Sequence, residues 1–406
     1  MAQENDWRGP SSGSWQSPDW SLGILPGANQ NIVFTNAGVN LLTIDAATAQ
    51  NYPQTLNIES LAVSAPYGST NELLMDAAGL ETPLVIGITN EGILSIASGT
   101  SIFEMHSSAL EVNGGINVSG TFNESDGSEV SAESLGVNGE FNLTNSTLNV
   151  AGIETVGQFN QTGGTNTTGG LVLDAVAYPN SQYNMSDGYF AGAITLDYGS
   201  FIQTGGQVFA SVNFQQYGGK FQFAGGVISQ NGLNVQGNPG GPYMQYATSV
   251  VFKQTNGTIY SGDLNVGMSG YGEFTQSGGL LVSSNLNVGV PEEFEWENTP
   301  GAPTFFLQSG GVHSNYTITL TGAPLQLVNT PSASTSRIIV DPNSGKLYGV
   351  STYTFSGGML YSSAINLSYA NFNQTGGTNE VGTISGDSYS LSGGKLIVQN
   401  LMETAG

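Results

Sequence analysis

Short bursts of alternating apolar and polar residues run along this chain, and nearly every burst stops at a glycine. The tripeptide LNV occurs at Leu264 and again at Leu286. With a side-chain period of two, the Leu and Val point to one face and the intervening Asn to the other. That is strand character. No 3.6-residue periodicity persists, and Gly interrupts every candidate helix.

The bursts repeat. One phrase, aromatic–x–Gln or apolar–small–Gly–Gly, recurs as FNQTGG at Phe159, YNMSDG at Tyr183, FIQTGG at Phe201, FQFAGG at Phe221 and FKQTNG at Phe252. It continues as FTQSGG at Phe274, FLQSGG at Phe306, YTFSGG at Tyr353, FNQTGG at Phe372 and YSLSGG at Tyr389. The short steps between aromatics, 17 to 24 residues, set the period; steps of 31 and 32 read as one coil plus an insertion. The step of 47 fits two coils, or one with a large excursion. Phe103, Phe122, Phe141 and Phe159 keep the same beat at 19, 19 and 18 residues, with Ile116, Leu135 and Ile153 each six residues before an aromatic. Three short strands per period cannot bury their faces alone, whereas stacked coils close a core between them. The fold class expected is all-β, a parallel β-helix (β-solenoid), right-handed by general prevalence.

Gln161, Gln203, Gln254, Gln276, Gln308 and Gln374 occupy the place that Met185, Phe223, Phe355 and Leu391 fill in other copies. Exchange with large apolar residues predicts an inward-facing ladder. A buried amide needs partners, either stacked Gln neighbours or the carbonyls of the Gly turn. The Gly-Gly pair predicts a corner with positive φ. No helix and no basic residue follows it, so it is no phosphate loop.

Composition narrows the function. The chain of 406 residues has 58 Gly, no Cys, and a net charge of -24 from 30 acidic and 6 basic residues. A surface this acidic repels phosphate backbones and anionic membranes, which excludes nucleic acid as a partner. No apolar run of 18 residues exists for a spanning helix. The start Ala-Gln-Glu-Asn after Met1 fits a mature exported chain, and the lack of Cys suits a bacterial exported protein.

Residues 1–55 differ from the rest. Trp7, Trp15 and Trp20 precede strands near Ile32 and Leu42, and the segment reads as a Trp-rich cap, with a carbohydrate-stacking platform as its rival. Residues 56–406 read as the solenoid, with insertions near 238–250, 290–304 and 321–350. The second holds Glu292, Glu293, Glu295 and Glu297 around Trp296; the third ends in a hairpin that carries Arg337 and Lys346. The final phrase runs into the chain end without a polar cap, so head-to-tail stacking is expected there. The basic hairpin is expected to dock on an acidic loop of a neighbouring copy. Arg337, Lys346, the four glutamates and the three Trp are thus the candidate assembly contacts.

Catalytic chemistry has few candidates. Asp174, Asp187, Asp197 and Asp263 lack matching positions in neighbouring repeats, and His106 and His313 read as ordinary surface or edge residues. No Ser-His-Asp, Cys-His or zinc spacing stands out. No catalytic residue and no cofactor is expected, with Ca²⁺ on an acidic loop kept as an alternative. Eleven Asn-x-Ser/Thr sequons occur, among them Asn117, Asn142 and Asn184, an abundance that follows from the composition.

The alternation of FxQTGG and YxLSGG phrases resembles the autotransporter-associated β-strand repeats of bacterial surface proteins, and GSWQSPDWSLGILPGANQNIVF from Gly13 is similar to the Trp-rich start of such chains. The resemblance implies an exported, non-catalytic passenger or matrix protein. The expected function is an extracellular structural protein, a self-associating filament subunit or adhesive stalk at the bacterial surface. A carbohydrate-binding or polysaccharide-degrading β-helix is the alternative, with surface polysaccharide as partner.

Overall fold

The computed structural model describes residues 2–88, 92–178, 180–214, 219–235, 250–267, 272–289, 305–321, 323–325, 338–340, 347–349, 351–386 and 388–401. The contacts divide the chain into two compact units, 1–193 and 194–406. Both are built of parallel strands, and the fold is a parallel β-helix.

In the second unit the coil is plainest. Gly272–Gln276 lies parallel between Val250–Gln254 and Phe305–Gln308, with Phe252, Phe274 and Phe306 in register. Leu280–Gly289 lies between Thr258–Val266 and Val312–Thr321. Its ladder to Thr258–Val266 runs through Ser283, skips one residue and resumes at Asn285. Each coil therefore has three short strands, as the spacing predicts. The LNV tripeptides behave as their period requires: Leu264, Val266, Leu286 and Val288 are buried, and the Asn between them faces outward. Those outward amides bond along the stack, Asn287 Nδ2 to Asn265 Oδ1 and Asn265 Nδ2 to Asn234 Oδ1, both at 2.8 Å.

Phe221 pairs with Phe252, and Phe306 with Tyr353, so the steps of 31 and 47 are each one coil with an excursion. Part of the second excursion is the expected hairpin: Ile338–Val340 pairs antiparallel with Leu347–Gly349, which also pairs with Ala323–Leu325.

The second Gly of each phrase has a positive φ, for example +72° at Gly206, +78° at Gly279 and +74° at Gly311. The first Gly is replaced by Asp187 and Asn256 in two phrases, and the second never is. A Cβ at Gly279 would also lie 2.5 Å from the Gly257 carbonyl of the preceding coil. Gly279→Ala is expected to cost about 1–3 kcal/mol, read as a lower urea midpoint; an unchanged midpoint would contradict the corner geometry.

The first unit repeats the plan. Phe103, Phe122, Phe141 and Phe159 stack in register, with ring centroids 5.0, 4.7 and 4.9 Å apart. One apolar position was misplaced by the even spacing. Ile116 and Leu135 are buried, but Ile153 is 56% exposed, and Glu154 pairs with Leu135 in its stead. This coil is paired 18 residues apart at Phe141–Phe159 but 19 apart at Leu135–Glu154. Val156 points inward opposite Val137, so by strict alternation Glu154 points inward and Ile153 outward.

Gln3–Asp6 pairs parallel to Gln30–Phe34, and Ser12–Ser14 to Val39–Asp45, so coil pairing begins well before residue 55. Trp7, Trp15 and Trp20 are each under 5% exposed. Trp20 stands edge-on to both others, at 5.1 and 5.2 Å. Trp15 Nε1 donates to Thr55 O, and Trp20 Nε1 to Trp15 O. Rings buried this fully are packing elements, which removes the three Trp from the candidate assembly contacts and leaves no face for the rival sugar platform. A six-residue helix, Ala46–Asn51, follows, capped by Asp45, whose carboxylate accepts from Thr48 N–H at 2.8 Å.

Candidate functional site

The side chains with the most unusual surroundings lie inside the coils. All six predicted ladder glutamines are buried, none more than 1% exposed. They do not stack amide on amide. Gln254 Nε2 reaches Gly257 O in its own corner at 3.3 Å and Leu280 O, just past the corner of the next coil, at 3.0 Å. Gln161 bridges Gly164 O and Tyr189 O, Gln203 bridges Gly206 O and Val227 O, and Gln374 bridges Gly376 O and Lys395 O. Gln276 and Gln308 reach Val312 O and Met359 O of the following coil, both at 3.1 Å. Each amide thus staples one corner to the next.

The acceptor end obeys a second rule. Where the next coil carries Tyr, its hydroxyl donates to the Gln Oε1: Tyr183 to Gln161 at 2.7 Å, Tyr353 to Gln308 at 2.7 Å, Tyr389 to Gln374 at 2.6 Å. Where it carries Phe, the Oε1 of Gln203, Gln254 and Gln276 has no hydrogen-bond partner. Five residues after each of the first three glutamines stands a buried polar group, Asn166, His313 or Asn379, within 3.3 Å of the same Tyr hydroxyl. Five residues after the other three stand Val208, Ile259 and Leu281. The first three sets are polar triads that bridge one coil to the next. Tyr353→Phe leaves both Gln308 and His313 short of a partner and is expected to cost about 1–3 kcal/mol. Phe274→Tyr, which sets a hydroxyl beside the orphaned Gln254 Oε1, is expected to gain about 1 kcal/mol. Urea unfolding of the two variants checks both signs, and equal midpoints would refute the rule.

His313 corrects the surface assignment. It is fully buried, 5.4 Å from the Phe306 ring, and burial pulls its pKa down to about 3. Because Tyr353 gives its proton to Gln308, the neutral imidazole must donate from Nδ1 to the Tyr353 oxygen. Its Nε2 then faces Ser283 and Asn315 at 3.5 Å.

Two carboxyls share the interior of the first unit. Glu154 touches the first triad through Asn166 Nδ2 at 3.2 Å, and burial raises its pKa to about 8. Glu124 lies two residues after Phe122, in the glutamine place between Met105 and Leu143. Burial raises its pKa well above the carboxylate range. Thr147 N–H, a donor that faces the carboxyl, bonds Ser128 O at 2.9 Å, and both Glu124 oxygens are left without a hydrogen-bond partner.

One half-exposed cluster looks like a catalytic relay. Ser125 Oγ is 2.6 Å from His106 Nδ1, and His106 Nε2 is 2.9 Å from Glu104 Oε1. Sequence reading missed it; the signal is that Ser125 follows His106 by one 19-residue coil. Nucleophilic catalysis needs donors where negative charge develops. Here Asp126 Oδ2 sits 3.1 Å from the same Nδ1, and the N–H groups of Gly127 and Ser128 already serve Asn145 O and Ser125 O. The cluster pins two coils together and repels an oxyanion.

The remaining candidates are dispersed. Asp174 holds a turn through Val176 and Ala177 N–H, and Asp263 accepts from Asn285. Among the described residues, no group of three His, Cys, Asp or Glu is placed to hold a metal ion, and no helix is long and apolar enough to cross a membrane. Arg337, Lys346, Glu292, Glu293, Glu295 and Glu297 lie outside the described residues, as does the insertion around 238–246. Asn117, Asn142 and Asn184 sit in strands, the latter two in an outward amide column with Asn123 and Asn160. No protein-family model, curated protein or solved structure matches this chain.

Proposed function

We propose that this chain is an extracellular structural protein of the bacterial surface, a scaffold or adhesive stalk that associates with further copies of itself. One observation carries the reading: the polar groups of the interior are used between coils. Six glutamines, three tyrosines and their Asn or His partners bond from one coil to the next, a chemistry that extends a solenoid and turns over no substrate. The resemblance to autotransporter-associated repeat proteins supports export and surface display. The acid-rich composition supports a role in which separate molecules stay soluble until they dock.

Electron microscopy and sedimentation of the purified protein test this. Elongated particles or ordered fibres, with no release of reducing ends from a panel of polysaccharides, are expected. Compact monomers that depolymerise a polysaccharide would overturn the proposal.

A further inference from the structure

The outward face of the second unit carries a line of aromatics that packing does not require. Phe209 is in register with Ser229, which is in register with Tyr260. Tyr260 continues through Val282 and Ser314 to Tyr361. Phe209 is 57% exposed and Tyr260 47%. At one coil spacing of about 4.8 Å, these rings stand about 10 and about 14 Å apart on one straight line. Phe and Tyr are costly to leave in water, and three of them on one register line mark a ligand surface more than chance scatter does.

The line leads into a groove of about 510 Å³ that crosses four coils, a volume within the range of ligand sites. Ser314, Tyr361, Ser363, Glu380, Thr383 and Asn400 line it. The lining is hydroxyl and amide with one carboxylate and a single ring, so it suits a partner dense in hydroxyls that also has an apolar C–H face. Glu380 stands beside Tyr361 in register and no Lys or Arg lines the groove, which disfavours uronates, sulfated sugars and phosphates. Tyr361 and Glu380 lie in strands paired on both sides, so a peptide finds no free edge beside these two residues.

We propose that this line and its groove bind a linear, neutral polysaccharide, with sugar rings two or three units apart along the chain stacked on Phe209, Tyr260 and Tyr361 and hydroxyls held by Glu380, Ser363 and Thr383. The site is independent of the structural role above and stands or falls separately from it.

Affinity electrophoresis of the full chain tests the proposal, in gels containing hydroxyethylcellulose, dextran or polygalacturonate. Hydroxyethylcellulose is expected to retard the protein, and Tyr260→Ala with Tyr361→Ala to weaken that retardation about tenfold. Tyr67→Ala, an exposed ring in the first unit, should change nothing. Thermal melts check that the outward substitutions leave the fold intact. No retardation by hydroxyethylcellulose, retardation by polygalacturonate or by dextran alone, or retardation untouched by the paired Tyr substitutions would each overturn it.

Discussion

Glu154→Leu is expected to raise stability at pH 8 by several kcal/mol and to flatten much of the pH dependence of unfolding. Glu154 is fully buried beside Leu135, its Oε1 has no partner, and its only side-chain bond comes from Asn166. Burial holds its pKa at about 8 against an ordinary 4.5. The unfolded chain thus gives up this proton at a lower pH than the folded one. The stabilising contribution is complete below pH 4.5, declines as pH rises from there to about 8, and is flat above. Across that span the loss is on the order of 5 kcal/mol as an upper bound. Leu keeps the volume and removes the charge, and Asn166 keeps its bond to Tyr183. Urea midpoints from pH 5 to 9 check this. A variant no more stable than the parent at pH 8 would sink the assignment of Glu154 to the interior. Glu124, buried with unbonded oxygens, leaves a residual slope of the same sign, opposed below pH 6.5 by His313, whose lowered pKa adds stability as pH rises.

Phe274→Ala is the second large effect, in the opposite direction. Phe274 lies between Phe252 and Phe306, each ring centroid 4.9 Å away and within 5° of parallel. Truncating a fully buried Phe costs about 3–5 kcal/mol, and two stacking contacts go with it. Because each coil touches chiefly its neighbours, the damage is expected to be local. Hydrogen exchange should accelerate in Val250–Gln254, Gly272–Gln276 and Phe305–Gln308 far more than in the first unit. Phe209→Ala, on the outward face, is expected to change stability by less than about 0.5 kcal/mol. Equal losses in the two variants would contradict the inward–outward assignment.

Most of the architecture was legible because the coil rewrites the same sentence. The aromatic beat locates the stack, and the exchange of Gln for Met, Phe and Leu marks an inward place. What remained hidden depended on registers of a single residue. Ile153 and Glu154 are adjacent, and only the inward Val156 decides which one is buried. Apolar spacing favoured Ile153, so tertiary pairing overrode the local pattern. Glu124 could have been found by counting two residues from Phe122, as for every ladder Gln. The triads too are written in the sequence: FxQ followed five residues after the Gln by Asn or His precedes a coil with Tyr, whereas Val, Ile or Leu there precedes Phe. His313 was misassigned to the surface because a lone His carries no such context until that offset is noticed. The Trp burial followed from no period, since Trp7, Trp15 and Trp20 fill one irregular first turn.

Coils stacked in parallel register set the position of every inward side chain, and a chain without Cys allows that register to be tested cleanly. Asn265 and Asn287 face outward as direct partners in adjacent strands, with Asn287 bonded to Asn265. Neighbouring parallel strands set such Cα atoms about 4.8 Å apart, within reach of a disulfide. The variant pairing Asn265→Cys with Asn287→Cys is expected to cross-link within the native monomer under mild oxidation, and to do so far faster than Asn265→Cys with Asn285→Cys. Cross-linking of the offset pair as fast as the matched one, or none in the matched pair, would contradict the stacked-coil register.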